Sequence, residues 1–251
     1  MNMKKWNINK YLIITLIAVL IAAFIFVMFN QGIIWFNNPS QSEYPVRGVD
    51  ISAHQGEIDW YSIASQDVDF AFIKATEGSS FVDKNFKLNW ENARSAGIIT
   101  GAYHFFIFES SAQDQAKNFI NTVPCGTGNL PPVVDIEFYG ESEKRPPAPN
   151  EVRAVLSELL NLLYEHYRVQ PIIYTTLRSY DMYISGHFAD YPIWIRSVYF
   201  KPQLPDDREW LFWQYSHKGR LKGYNGREKF IDLNVFNGNM DDFKELFLIT
   251  T

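Results

Sequence analysis

Residues 11–29 read YLIITLIAVLIAAFIFVMF, nineteen positions without a charge. A helix rises 1.5 Å per residue, so one of this length spans roughly 30 Å, the thickness of a bilayer's hydrocarbon. Lys4, Lys5 and Lys10 precede the run, and the next charged residue after it is Glu43. The positive-inside rule then predicts residues 1–10 as a cytoplasmic tail, 11–29 as a single-pass transmembrane signal anchor, and everything beyond as extracytoplasmic. Trp35 and Phe36 are placed to anchor in the far interface. A cleaved signal peptide is the alternative, but its apolar core would exceed the usual ~7–15 residues and no clear A-x-A site follows. A buried helix of a soluble domain is the third reading, opposed by the unbroken run. Residues 30–45, NQGIIWFNNPSQSEYP, read as a linker that reaches about 50 Å when extended. The remaining span, 46–251, is long enough for one large domain with its own core.

That span alternates short apolar runs with helical patterns. Strands are predicted at 46–51, 69–74, 98–106, 133–138, 171–175, 192–197, 210–215 and 229–235. The stretch KNFKLNWENARSAG sets Phe86, Trp90 and Ala93 on one helical face and stops at Gly97. Ser110 with Gln113 suggests a capping box ahead of Ala116, Phe119 and Ile120. Asn150 is placed to cap EVRAVLSELLNLLYEHY, whose Val152, Val155, Leu156, Leu159 and Leu163 form a stripe. Strands alternating with helices mean an α/β fold with a mostly parallel sheet, and eight strands suggest closure. Later connections such as SVYFKPQLPDDRE are too short or proline-rich for full helices. The expectation is an irregular TIM-like (β/α) barrel with some helices missing on one side, preceded by one transmembrane helix. ESEKRPPAPN, 141–150, reads as an exposed loop.

Composition excludes some partners. A net charge of −5 and a pI near 5.6 leave no basic footprint for nucleic acid. One cysteine, Cys125, rules out an internal disulfide.

The acids point to chemistry. In PPVVDIEFYG, 131–140, alternation places Val134 and Ile136 on one face and Asp135 and Glu137 on the other. Inward carboxylates are expensive to bury unless something uses them. Asp50 ends the first predicted strand, and Asp232 shares a face with Asn234 in the last. If the barrel closes, those strands are neighbours, so Asp50 and Asp232 flank one side of the mouth while the DIE pair approaches from across it. Two carboxylates about 6 Å apart at an effective dielectric near 20 repel by roughly 3 kcal/mol, or about two pKa units. One should then hold its proton near neutral pH, as glycoside hydrolysis requires. Taken singly, Asp50 or Asp232 reads more readily as a helix or turn cap; four acids at one rim do not. Lys74 and Glu77 suit either an ion pair at the mouth or substrate contacts. His54 and His104 invite a metal reading, but the ligand spacing is loose, and no metal or cofactor is expected.

GVDISAHQGEIDW, FAFIKATEGSSFVD, GAYHFF, VVDIE, PIIYTT, WQYS and IDLNVFNG occur in the order found in glycoside hydrolase family 25. The chain resembles these muramidases, or lysozymes, of the Chalaropsis and Cellosyl type, from about residue 46 to 238. The resemblance implies a β/α barrel with few helices that hydrolyses the β-1,4 bond between N-acetylmuramic acid and N-acetylglucosamine. It implies Glu137 as general acid/base and Asp135 as the group orienting the substrate acetamido group, which can act as internal nucleophile. Asp50 and Asp232 match the family's other two acids, and Tyr103 and Tyr174 its groove-lining aromatics. Peptidoglycan glycan strands are the implied partner, and a monomer is expected. No wall-binding repeats are recognisable, which suits an anchored enzyme remodelling the wall beside its own membrane. Two alternatives stay open: a catalytically silent barrel that binds peptidoglycan or a partner protein, and a metal-dependent hydrolase.

Overall fold

The computed structural model describes residues 3–126 and 129–248, with the backbone alone at 3–9 and 247–248. The chain separates into two compact units, Met1–Phe36 and Asn37–Thr251. The first is helix α1 (Met3–Asn30) and a short turn. Its apolar side chains, from Tyr11 to Val27, are exposed to more than half of their surface, so nothing in the unit covers them. After Asn30 the chain folds back, and Trp35 stacks on Phe29 with ring centres 4.9 Å apart.

The second unit is a closed barrel. Its strands are β1 (Arg47–Ile51), β2 (Phe70–Glu77), β3 (Phe81–Val82), β4 (Ile99–Phe105), β5 (Val133–Ile136), β6 (Ile172–Thr176), β7 (Ile193–Arg196), β8 (Phe212–Gly219) and β9 (Ile231–Phe236). Eight of these form the ring, and each of the eight predicted strands supplies one; β3 is a short hairpin return on β2. Neighbours from β1 through β2, β4, β5, β6 and β7 to β8 are parallel. The last strand, β9, closes the ring antiparallel to both β8 and β1. This is the expected α/β barrel with one correction. Asp232 stands near the start of its strand, and reaches the mouth because that strand runs backwards.

Apart from one after the last strand, helices follow only the strands up to β6. They are α2 (Trp60–Ala64), α3 (Phe86–Ser95), α4 (Ala112–Thr122), α5 (Pro149–Tyr167) and α6 (Leu177–Ser179), which runs on into a wide turn to Ile184. A final helix, α7 (Met240–Leu248), follows β9. No helix joins β7 to β8 or β8 to β9. The cap of α4 is Ser111, which accepts from the Asp114 amide, one residue beyond the predicted Ser110. Ser110 instead gives its carbonyl to Gln115. Pro149 sits in the first turn of α5, where its fixed φ suits a helix start, so Asn150 lies inside the helix and its side chain accepts from Arg153.

Strand alternation separates two cores. Outward residues such as Val49, Ile73, Val134 and Ile136 pack under the helices. Inward ones, Phe70, Phe72, Trp194, Phe212 and Phe236, fill the barrel, and Phe243 of α7 closes the end opposite the mouth. Large rings need small partners beside them on the neighbouring strand. A Cβ at Gly48 would come within 2.4 Å of the Phe70 ring, and one at Gly101 within 2.5 Å of Phe72. Above this aromatic fill, the next inward position on each strand is polar.

Where helices are missing, the chain's own entry covers the barrel. The expected linker is docked from Asn37 onward. The Asn37 amide donates to the carbonyls of Ser197 and Tyr215 at 3.0 Å each. Tyr44 is buried against Trp210 and Trp213, with ring centres 5.8 and 5.9 Å away. Glu43 pairs with Lys201 at 2.8 Å. This strap stands in for the absent helix over β8.

Candidate active site

The polar layer forms the floor of a cavity of about 590 Å³ at the mouth. Asp50, Asp135, Glu137 and Asp232 all line it, with Tyr103, Tyr174 and Lys74. The structure therefore brings the four predicted acids into one cleft. Glu77 is not among the lining residues. It accepts from Lys74 at 2.7 Å, behind that lysine's cleft-facing side. In a regular strand residues three apart face opposite ways; the irregularity in β2 between Lys74 and Thr76 restores the pairing.

Asp50 and Asp232 face each other across the β1–β9 ladder. Asp50 Oδ2 accepts from Gln214 at 2.9 Å and from Asn234 at 2.8 Å. The Asn234 amide is not free to flip, because an indole N–H can only donate. Tyr174 donates its hydroxyl to Gln214 Oε1 at 3.1 Å, and the Trp194 indole donates to Asn234 Oδ1 at 2.8 Å. Both NH2 groups are thereby aimed at Asp50. Burial pushes the Asp50 carboxyl above its ordinary range, and the two amides partly offset this. Asp232 is pushed well above its range, by burial first and by the charge of Asp50 next. Asp50 and Asp232 are within hydrogen-bonding reach of each other, so the proton held above the ordinary carboxylate range belongs to the pair.

Asp135 on β5 and Glu137 just beyond it share a face. Burial lifts both, Asp135 well above its range with the Glu137 charge as second cause. Arg196 is the strongest influence pulling Glu137 back down. The pair thus holds a proton to higher pH than a lone carboxyl would, and that proton belongs to the pair. Asp135 Oδ1 is buried without a hydrogen-bond partner among the described residues. An orphaned buried acceptor costs about 1–3 kcal/mol, so this oxygen suits an incoming N–H donor.

His54 lines the cleft but His104 does not. The His104 ring is buried behind β4, between Thr76 Oγ1 at 2.7 Å and Gln115 Oε1 at 3.1 Å. Burial pulls its pKa down to about 4. Both ring nitrogens are occupied, so it can take no metal. Among the described residues no three His, Cys, Asp or Glu side chains converge as metal ligands.

Several lining residues were not singled out from sequence: Arg178, Trp194, Arg196, Gln214 and His217. The signal for two of them was present. Arg196 and Gln214 lie two positions beyond Trp194 and Phe212, as Asp135 lies two beyond Val133.

Comparison with known proteins agrees with the geometry. The family described as Glycosyl hydrolases family 25 matches residues 49–224. An uncharacterized Escherichia coli K12 protein, YegX, is 36% identical over 208 residues, covering 81% of this chain and 74% of that protein. Lysozyme M1 of Streptomyces globisporus is 33% identical, covering 77% of this chain and 68% of its own. A family 25 glycosyl hydrolase structure from Bacillus anthracis superposes with a TM-score of 0.79 at 47% identity, over 83% of this chain and 96% of that one.

Proposed function

Because the chain belongs to glycosyl hydrolase family 25, we propose that Glu137 and Asp135 cleave the β-1,4 bond between N-acetylmuramic acid and N-acetylglucosamine in peptidoglycan. The enzyme is a glycoside hydrolase of the lysozyme class. Glu137 is the general acid/base. It gives its proton to the glycosidic oxygen as the bond breaks, and later takes one from the attacking water. Asp135 accepts the N–H of the substrate acetamido group and orients its carbonyl oxygen toward the anomeric carbon. Asp50, fixed by two amides, supplies negative charge to the cationic sugar, and a proton shared with Asp232 lets the two stand side by side. Tyr103 and Tyr174 line the groove, while Lys74, held by Glu77, is the cation beside it.

The observation that carries this reading is the orphaned Asp135 Oδ1 next to Glu137 in a cleft of sugar size. We further assign 11–29 as a signal anchor that keeps the barrel, 46–251, outside the cytoplasm and beside the membrane. The test is mass spectrometry of products released from defined peptidoglycan by the full chain in detergent. Fragments with N-acetylmuramic acid at the new reducing end are expected. Reducing N-acetylglucosamine would mean a different bond, and no release at any pH would sink the proposal.

A further inference from the structure

The floor of the cleft is acidic, yet its β6–β7 side is cationic. Arg196 ends β7, and Arg178 lies in α6 two positions after Thr176, the cross-strand partner of Arg196. Both line the cleft that holds Glu137. Arg178 lies over Phe138, its guanidinium carbon 4.5 Å from the ring centre, and Nη2 donates to the Glu143 main-chain carbonyl at 3.0 Å. It is held in place, yet the Glu143 carboxylate does not consume its charge. Arg196 is half-buried and takes part in no ion pair among the described residues. Lys74, the third cation, is already committed to Glu77.

A guanidinium carries five N–H donors in a planar fork that matches a carboxylate. Burying one without a partner is costly, and a cleft floored with acids would by itself repel an anionic sugar. We propose that Arg178 and Arg196 form a carboxylate-recognition subsite that reads the acid group borne by muramic acid beside the scissile bond. This rests on the muramidase reading. That carboxylate has two sources: the lactyl group of a peptide-free muramic acid, or an acidic residue of an attached stem peptide. A purely electrostatic role for Arg196, holding the acids ionised, would shift the pH profile but would not distinguish a substrate carboxylate from its ester.

The experiment measures kcat and KM of the full chain in detergent on four substrates. These are peptide-free glycan strands and peptide-bearing strands, each with carboxylates free or methyl-esterified. The wild-type protein should prefer the free acid by about tenfold through KM, the worth of one charge-assisted hydrogen-bonded pair. Whichever strand type shows the preference identifies the source. Arg178→Gln and Arg196→Gln should each collapse the acid-to-ester ratio toward one, while Arg196→Lys, which keeps charge but loses the fork, should recover it only in part. Equal rates on acid and ester, or an unchanged ratio in both glutamine variants, overturns the subsite. Absence of cleavage on all four substrates would instead refute the muramidase reading and this inference with it.

Discussion

At the scale of single residues, the site separates a proton donor from its neighbours by burial and pairing. Glu137→Gln keeps the shape and removes the proton, so turnover should fall by about 10²–10⁴-fold with the melting temperature little changed; reducing-end assays on the purified variant check this. Asp232 gives a second prediction with a definite sign. Its folded-state pKa is raised, so its contribution to stability is complete below the ordinary carboxylate value near 4 and is lost as pH climbs through the raised value. Asp232→Asn cannot ionise, and its amide can still donate to Asp50. The variant should therefore melt above the wild type at neutral and alkaline pH, with the gap closing on acidification. His104 and His217, both pulled down to about 4, act oppositely: their contribution is present above about 6.5 and drains as pH falls. They are common to both proteins and cancel in the comparison. A thermal melt series against pH reads the difference. The acids were legible in sequence because inward carboxylates break an apolar alternation. Arg196 and Gln214 obey the same alternation, but polar residues at the ends of predicted strands read equally well as solvent-facing, and only closure of the ring turns them inward.

At the scale of elements, the missing helices determine what else must happen. A strand with an apolar outer face needs cover, and for β8 the strap from Asn37 to Val46 supplies it with Tyr44 against Trp210 and Trp213. Tyr44→Ala should destabilise the barrel by roughly 3–5 kcal/mol, as loss of a large buried ring does, and denaturant midpoints measure it. The four acids would lose little of their geometry, since the strap touches none of them. Sequence showed the strands and where helices would be absent, but NQGIIWFNNPSQSEYP carries no periodicity. Its docking depends on the distant Trp210 and Trp213 and could not be read locally. The reversal of β9 was hidden for a similar reason. A strand's direction follows from its connection, and the loop before β9 is neither a tight hairpin nor a helical crossover. The irregularity in β2 was also silent, although KATEG places Lys74 and Glu77 at a spacing that a regular strand would set on opposite faces.

At the scale of the whole molecule, the two units have opposite requirements. The barrel buries its aromatic fill and faces polar groups outward and into the cleft. Helix α1 does the reverse: from Lys10 to Asn30 it is long and apolar enough to cross a bilayer, and none of it is buried within the protein. A helix that exposes Leu12, Ile17, Leu20, Phe24 and Phe26 together to water would aggregate, because each of these side chains forgoes about 1.5–3 kcal/mol of burial. Lipid provides that burial, and Lys4, Lys5 and Lys10 at one end favour the cytoplasmic side. The proposed anchor therefore predicts that the chain sediments with membranes, resists an alkaline carbonate wash and needs detergent for release. Replacing two central leucines, Leu16→Arg with Leu20→Arg, should move it to the soluble fraction with kcat unchanged, since neither residue belongs to the barrel unit. A mature protein recovered from the medium with an N-terminus beyond residue 29 would identify the segment as a cleaved signal instead. The enzyme would then diffuse freely, and proximity to the membrane would no longer decide which strands of the wall it reaches.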